Sequence, residues 1–89
     1  MDKNKLHGQL EELHAELQQV ESVDDSDREM LNRLTKDIRD VLERKEDHAE
    51  HYDQLSGRLR EAIARLEASH PKATMLMTQV IDQISYMGI

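Results

Sequence analysis

Apolar residues recur along this chain at the alternating three- and four-residue spacing that lines up side chains on one face of an α-helix. Three such stripes precede the single proline, Pro71, and a fourth follows it. The stripes are Leu6, Leu10, Leu13, Leu17 and Val20; Leu31, Leu34, Ile38 and Val41, widened by Met30 and Leu42; Tyr52, Leu55, Leu59, Ala62 and Leu66; and Ala73, Leu76, Met77, Val80, Ile81, Ile84 and Met87. They predict one all-α domain over residues 1–89, with three to four helices at about 2–20, 26–46, 51–69 and 71–87.

The helix boundaries rest on local signals. Ser26 and Glu29 have the spacing of a capping box, in which each side chain accepts from the other residue's backbone N–H. Pro71 disfavours helix at the preceding residue and suits a first helical turn. Gly88 is a natural C-terminal cap for the last helix. These signals predict a second helix that starts at Ser26 and a sharp corner at Ser69-His70-Pro71.

The second and third stripes leave two interpretations open. They share one heptad register, and residues 44–51 contain neither Gly nor Pro. One interpretation is a single helix from about 26 to 69. The other is a hairpin that bends near residues 46–51, where the seam positions are the polar Lys45 and His48. We favour the hairpin, in coiled-coil-like antiparallel packing, because a small chain must fold back to bury its stripes.

The fourth stripe has an unusual setting. Residues 71–89 contain two charged residues, Lys72 and Asp82, and three of the five methionines. Such a helix is expected to be buried on more than one side, and a single intramolecular neighbour would not cover it. The sequence therefore predicts a homo-oligomeric bundle. The predicted interface residues are Leu76, Met77, Val80, Ile81, Ile84 and Met87.

Composition narrows the functional classes. The chain of 89 residues has no cysteine and a formal net charge of −7. Thiol catalysis, thiolate zinc sites and disulfides are excluded, and an acidic surface disfavours nucleic-acid binding. The polar amino-terminal residues predict no secretory signal, and residues 73–87 are too short to span a bilayer. We therefore expect a cytoplasmic protein with no nucleic-acid partner and no cofactor.

Catalytic motifs are missing from the sequence, so the prediction is a non-enzymatic interaction or structural protein. No serine lies in a nucleophile elbow, and the glycines are isolated. The alternative is a weak metal-binding or metal-sensing module that uses His48 and His51. The spacing Glu-x-x-His also occurs at Glu11 and His14 and at Glu67 and His70, but on the outer side of the stripes, where a di-metal centre is not expected. A second alternative is peripheral membrane association through helix 71–87.

The carboxyl-terminal third carries a family resemblance. The stretch Glu67-Ala68-Ser69-His70-Pro71 and the terminal Met87-Gly88-Ile89 resemble a family of short proteobacterial proteins described as a domain of unknown function, number four-four-zero-four. The first half is similar only in its Leu- and Glu-rich helical character, and the family commonly has an aromatic residue where this chain has Leu66. The resemblance implies a bacterial, cytoplasmic, helical protein. It implies no activity and no functional residues.

Overall fold

The computed structural model describes residues 3–21, 24–43 and 49–86 of the chain. The described residues form four helices, α1 (Lys3–Gln18), α2 (Asp25–Glu43), α3 (Ala49–Leu66) and α4 (Pro71–Tyr86). Helix α1 packs against α2 and α4, and α3 also packs against α2 and α4. The four helices therefore enclose one core in a square arrangement, and the predicted all-α class is confirmed.

Neighbouring helices run antiparallel. Glu16, near the end of α1, forms an ion pair with Lys72 at the start of α4, with Oε1 and Nζ 3.5 Å apart. Arg65, near the end of α3, likewise reaches Asp27 at the start of α2, with Nη2 and Oδ1 2.6 Å apart. The four helices thus run alternately up and down, as is usual where helices are joined by short connections.

Contacts between α2 and α3 decide between the two interpretations of residues 26–69. Arg58 of α3 bonds to Asp37 in the middle of α2. Arg65, about two turns further along α3, forms an ion pair with Asp27 at the start of α2. One continuous helix could not bring these residues together. The hairpin is confirmed, and its connection at 44–48 lies outside the described residues.

The core consists of the predicted stripes. Every stripe residue in the described part of the chain is buried, except Met30 and Leu42, which are partly buried against the core. Tyr52, Leu59 and Met77 are almost completely enclosed. The helical spacing of apolar residues predicts which side chains are buried, because steps of three and four residues return to the same side of the helix. Met87 lies outside the described residues.

The predicted capping box at Ser26 is wrong by two residues. Helix α2 begins at Asp25, and the Asp24 carboxylate accepts from the Asp27 backbone N–H at 2.8 Å. The Ser26 hydroxyl instead accepts from Arg65 Nη2 at 2.7 Å. Asp24 thus acts as the N-cap, and Asp25 and Asp27 place negative charge at the positive end of the helix dipole.

Candidate interaction surface

Helix α4, which packs against α1 and α3, has more buried residues than any other described helix, eight of its 16. Five of the six predicted interface residues, Leu76, Met77, Val80, Ile81 and Ile84, are buried among the helices of one chain. Two intramolecular neighbours, α1 and α3, cover this stripe, so its width does not by itself require a second chain. Met87, the sixth, is outside the described residues. Self-association itself stays a prediction, but these side chains can contact a partner only if the bundle opens.

The opposite side of α4 carries a second, exposed row of side chains. Met75, Gln79, Asp82 and Tyr86 follow a four-three-four spacing and all face away from the core. We call these four residues the outer stripe. Met75 is 53% exposed and Tyr86 is 79% exposed, and they are the large apolar side chains found exposed in the described part of the chain. The two side chains lie on one face of the same helix, with the polar Gln79 and Asp82 between them.

The outer stripe also carries little charge. Asp82 is the one charged residue of the stripe, and Lys72, at the start of the same helix, forms an ion pair with Glu16. The exposed faces of α2 and α3, by contrast, carry residues such as Arg33, Lys36 and Arg60. Protein interfaces are depleted in charge and enriched in Tyr and Met relative to other surface. The outer stripe therefore has the composition of an interface.

A cleft of about 420 Å³ runs beside the outer stripe, between α1 and α4. It is lined by Lys5, Gln9, Gln79, Asp82, Gln83 and Tyr86. Gln83 is only 6% exposed, and its Nε2 has no hydrogen-bond partner among the described residues. The Oε1 atom of Gln9, on the other wall, is buried and equally lacks a partner in the described part. A buried amide without a partner is rare in proteins.

A second, smaller cleft lies between α2 and α3, where three guanidinium groups meet. Arg33, Arg58 and Arg65 line it, but each is already engaged. Arg33 Nη2 contacts Glu29 at 3.5 Å, Arg58 bonds to Asp37, and Arg65 bonds to Asp27 and Ser26. Exposed ion pairs of this kind contribute at most about 1 kcal/mol each. We assign them to the alignment of the two helices.

The histidine candidates do not come together into a metal centre in what the structure describes. His48 lies outside the described residues, and His51 is described only by its backbone in α3. The described residues contain no group of three or more His, Asp or Glu side chains that could hold a metal ion. Glu11 and Glu67 are exposed, as the spacing predicted. The metal alternative gains no support from the geometry.

His70 has a structural position at the corner before α4. Its Nε2 donates to the backbone carbonyl of Glu21 across 3.2 Å, because a carbonyl can only accept. Its Nδ1 is therefore the acceptor for the Ser69 hydroxyl at 2.9 Å. These bonds tie the corner between α3 and α4 to the segment that follows α1. The Ser-His-Pro motif thus joins the two connections at one end of the bundle.

The membrane alternative requires apolar side chains that face lipid. The described helices include none with both the length and the apolar character that crossing a bilayer requires. The wide apolar stripe of residues 73–84 faces α1 and α3, so it is not presented to a surface. Lys72, the cation of helix 71–87, is engaged with Glu16.

Two features of this surface escaped the sequence reasoning. The outer stripe has its own helical spacing, from Met75 to Tyr86, but the stronger stripe of the same helix obscures it. Gln83 follows Leu76 and Val80 at core spacing, which marks it as a polar side chain in a buried row. The position of Gln9 opposite Gln83 depends on the register between α1 and α4. That register cannot be read from either helix alone.

Comparisons with known proteins give one match. A family model with the description "Domain of unknown function (DUF4404)" matches residues 6–89. No curated protein and no solved structure matches the chain.

Proposed function

The chain belongs to this family of unknown function, and from its geometry we propose that it is a non-enzymatic helical interaction protein that self-associates through the outer stripe of α4. One observation carries the proposal. The two exposed large apolar side chains of the described residues, Met75 and Tyr86, lie on the same face of the same helix. We place the protein in the cytoplasm, in keeping with a chain that contains no cysteine.

The chemistry of the outer stripe favours an antiparallel pair of α4 helices. A two-fold axis between Gln79 and Asp82 sets Met75 against the partner's Tyr86 and Gln79 against the partner's Asp82. A thioether beside an aromatic ring is a favourable contact, and an amide N–H can donate to a carboxylate. A parallel pair would instead set Asp82 against the partner's Asp82, and like charges repel. The stripe is therefore complementary to itself in one direction only, as an isologous interface requires.

The test uses opposite charges at one exposed position. Gln79→Glu places a carboxylate against the partner's Asp82, and Gln79→Lys places an ammonium there. Exposed pairs contribute about 0.2–1 kcal/mol, and symmetry repeats the pair, so the dimer dissociation constant should change about twofold to thirtyfold, in opposite directions. Sedimentation equilibrium over a range of protein concentrations measures this constant.

The matched control is Gln54→Glu, which adds the same charge to the exposed face of α3. It should leave the dissociation constant within twofold of that of the unsubstituted chain. A chain that stays monomeric at every concentration would overturn the proposal. So would equal effects of Gln79→Glu, Gln79→Lys and the control.

Disulfide trapping tests the direction of the pair, since the chain contains no cysteine of its own. Gln79→Cys and Asp82→Cys chains are mixed and oxidised, and the products are separated by mass. The antiparallel arrangement predicts that the mixed disulfide predominates over the disulfides between identical chains. Predominance of the disulfides between identical chains would contradict the antiparallel arrangement.

A further inference from the structure

The methionines of this chain differ in how easily an oxidant can reach them. The chain contains five methionines and no cysteine, so its sulfur atoms are all thioethers. Met77 is 0% exposed in the core, and Met30 is partly buried, with its Sδ accepting from Arg65 Nη1 at 3.7 Å. Met75 is 53% exposed on the outer stripe. Among the methionines that the structure describes, Met75 is therefore the one that solvent reaches most easily.

This accessible thioether lies at one end of the outer stripe. The proposed antiparallel pair of α4 helices sets Met75 against the partner's Tyr86, and the two-fold axis repeats this contact at the other end. Contacts between a thioether and an aromatic ring depend on an apolar, polarisable sulfur. A change in the polarity of this one side chain therefore acts on both ends of the proposed interface.

Hydrogen peroxide makes such a change without altering the charge of the chain. A lone pair of the thioether sulfur attacks one peroxide oxygen, an S–O bond forms as the O–O bond breaks, and water leaves. The sulfur loses two electrons and the peroxide gains them. The product is methionine sulfoxide, in which a flexible apolar side chain has become polar and chiral.

We propose that Met75 is a modification site at which oxidation to the sulfoxide releases the α4–α4 pair. This inference rests on the proposed self-association and adds its regulation. In the free chain the sulfoxide oxygen is hydrated. In the pair that oxygen would lose its water against the face of an aromatic ring, which offers no N–H or O–H in return, and an unsatisfied polar group opposes burial.

Mass action determines which form of the chain is oxidised. The pair covers Met75, so peroxide reaches this sulfur in the monomer, and the sulfoxide then keeps the chain monomeric. Methionine sulfoxide reductases reverse the step, one class of enzyme for each sulfoxide epimer. The modification is therefore a reversible response to oxidant, and a high concentration of chains protects against it.

The test treats the full chain with hydrogen peroxide and follows each methionine by peptide mass spectrometry. Met75 should be oxidised about tenfold faster than Met77, because the core must open before Met77 reacts. At a chain concentration about ten times the dimer dissociation constant, about one fifth of the chains are monomers, so oxidation of Met75 should slow by about fivefold. Sedimentation equilibrium should show that this constant rises by about threefold to tenfold once Met75 is oxidised.

Two variants isolate the contribution of Met75. Met75→Leu keeps an apolar side chain that cannot form a sulfoxide, so its dissociation constant should be the same before and after peroxide. This control also covers Met1 and Met87, which lie outside the described residues. Met75→Gln has a polar, uncharged side chain, and without peroxide its dissociation constant should equal that of the oxidised parent within about twofold. Treatment with both sulfoxide reductases should restore the original constant of the oxidised parent.

The untreated chain reports on the self-association, and the treated chain reports on its regulation. A chain that is monomeric before peroxide is added would overturn the proposed self-association, and this inference with it. A chain that dimerises equally well before and after Met75 is oxidised would overturn this inference alone. So would equal rates of oxidation at Met75 and Met77, or a dissociation constant that rises in peroxide-treated Met75→Leu.

Discussion

The residue before α2 shows how one side chain decides where a helix begins. Asp24 accepts the Asp27 N–H at 2.8 Å, and its own carbonyl accepts from the Arg28 N–H at 2.9 Å. The first backbone donors of a helix have no partner within the helix, so a side-chain acceptor at this position stabilises the start. Ser26, two residues further along the chain, accepts a hydrogen bond from Arg65 of α3.

Asp24→Ala should therefore destabilise the protein more than Ser26→Ala does. The loss of an N-cap costs about 0.5–2 kcal/mol, whereas the loss of an exposed side-chain contact costs up to about 0.5 kcal/mol. Urea denaturation, followed by circular dichroism, measures both free energies of unfolding. Asp25→Ala is the control for the loss of negative charge near the helix start. A larger loss of unfolding free energy for Ser26→Ala than for Asp24→Ala would indicate that Ser26 is the N-cap.

Two glycines lie inside helices at positions that do not need a glycine. Gly8 in α1 and Gly57 in α3 are exposed, and a Cβ atom built on either would meet no neighbour within 4 Å. Glycine inside a helix is destabilising relative to alanine, because the unfolded chain has more conformations to lose. The two helices therefore contain a local weakness that their packing does not require.

Gly8→Ala and Gly57→Ala should each raise the free energy of unfolding by about 0.4–1 kcal/mol. The two sites lie on different helices, so the double variant should show the sum of the single effects. Thermal and urea denaturation measure the three variants against the parent chain. Ala15→Gly, an exposed reverse substitution in α1, should lower stability by a similar amount. Destabilisation by either alanine would indicate that the site touches a neighbour.

At the scale of elements, most features that depend on a single helix could be predicted from the sequence. Features that depend on how two helices pack together could not. The Leu6 to Val20 stripe and its three counterparts were identified because burial repeats with the helical period. The start of α2 was misplaced, since Asp24 and Ser26 both have capping side chains and sequence cannot rank them. The Gln9–Gln83 cleft was missed because it depends on the register between α1 and α4. The outer stripe was missed because only packing shows which apolar residues of α4 remain exposed.

At the scale of the whole molecule, α4 packs against both α1 and α3. Its low charge has an intramolecular reason, since two neighbours remove most of its surface from water and charged side chains are costly there. In the sequence alone, the same low charge predicts contacts between chains. What remains for a partner is the narrow outer stripe, three residues of which also line the cleft between α1 and α4. One side of α4 thus packs in the core of its own chain, and the opposite side is the one that we propose contacts other chains.

Two methionines on α4 allow this separation to be tested, because they are two residues apart and face opposite ways. Met77 is fully enclosed in the core, and Met75 is 53% exposed on the outer stripe. Met77→Asp buries an unpaired carboxylate, which costs several kcal/mol, a large share of the roughly 5–15 kcal/mol that stabilises a domain. We therefore expect Met77→Asp to lose its cooperative thermal transition, as measured by circular dichroism.

Met75→Asp places the same carboxylate in water, so its melting temperature should stay within a few degrees of the parent value. Its dimer dissociation constant should nevertheless rise by about tenfold, because a charge replaces an apolar contact with the partner's Tyr86. Met75→Gln, a neutral polar substitution, should have a smaller effect on association. If Met77→Asp stays folded and loses only its self-association, α4 would present its wide apolar stripe between chains. If Met75→Asp dimerises like the parent, the outer stripe would be an ordinary exposed face of the bundle.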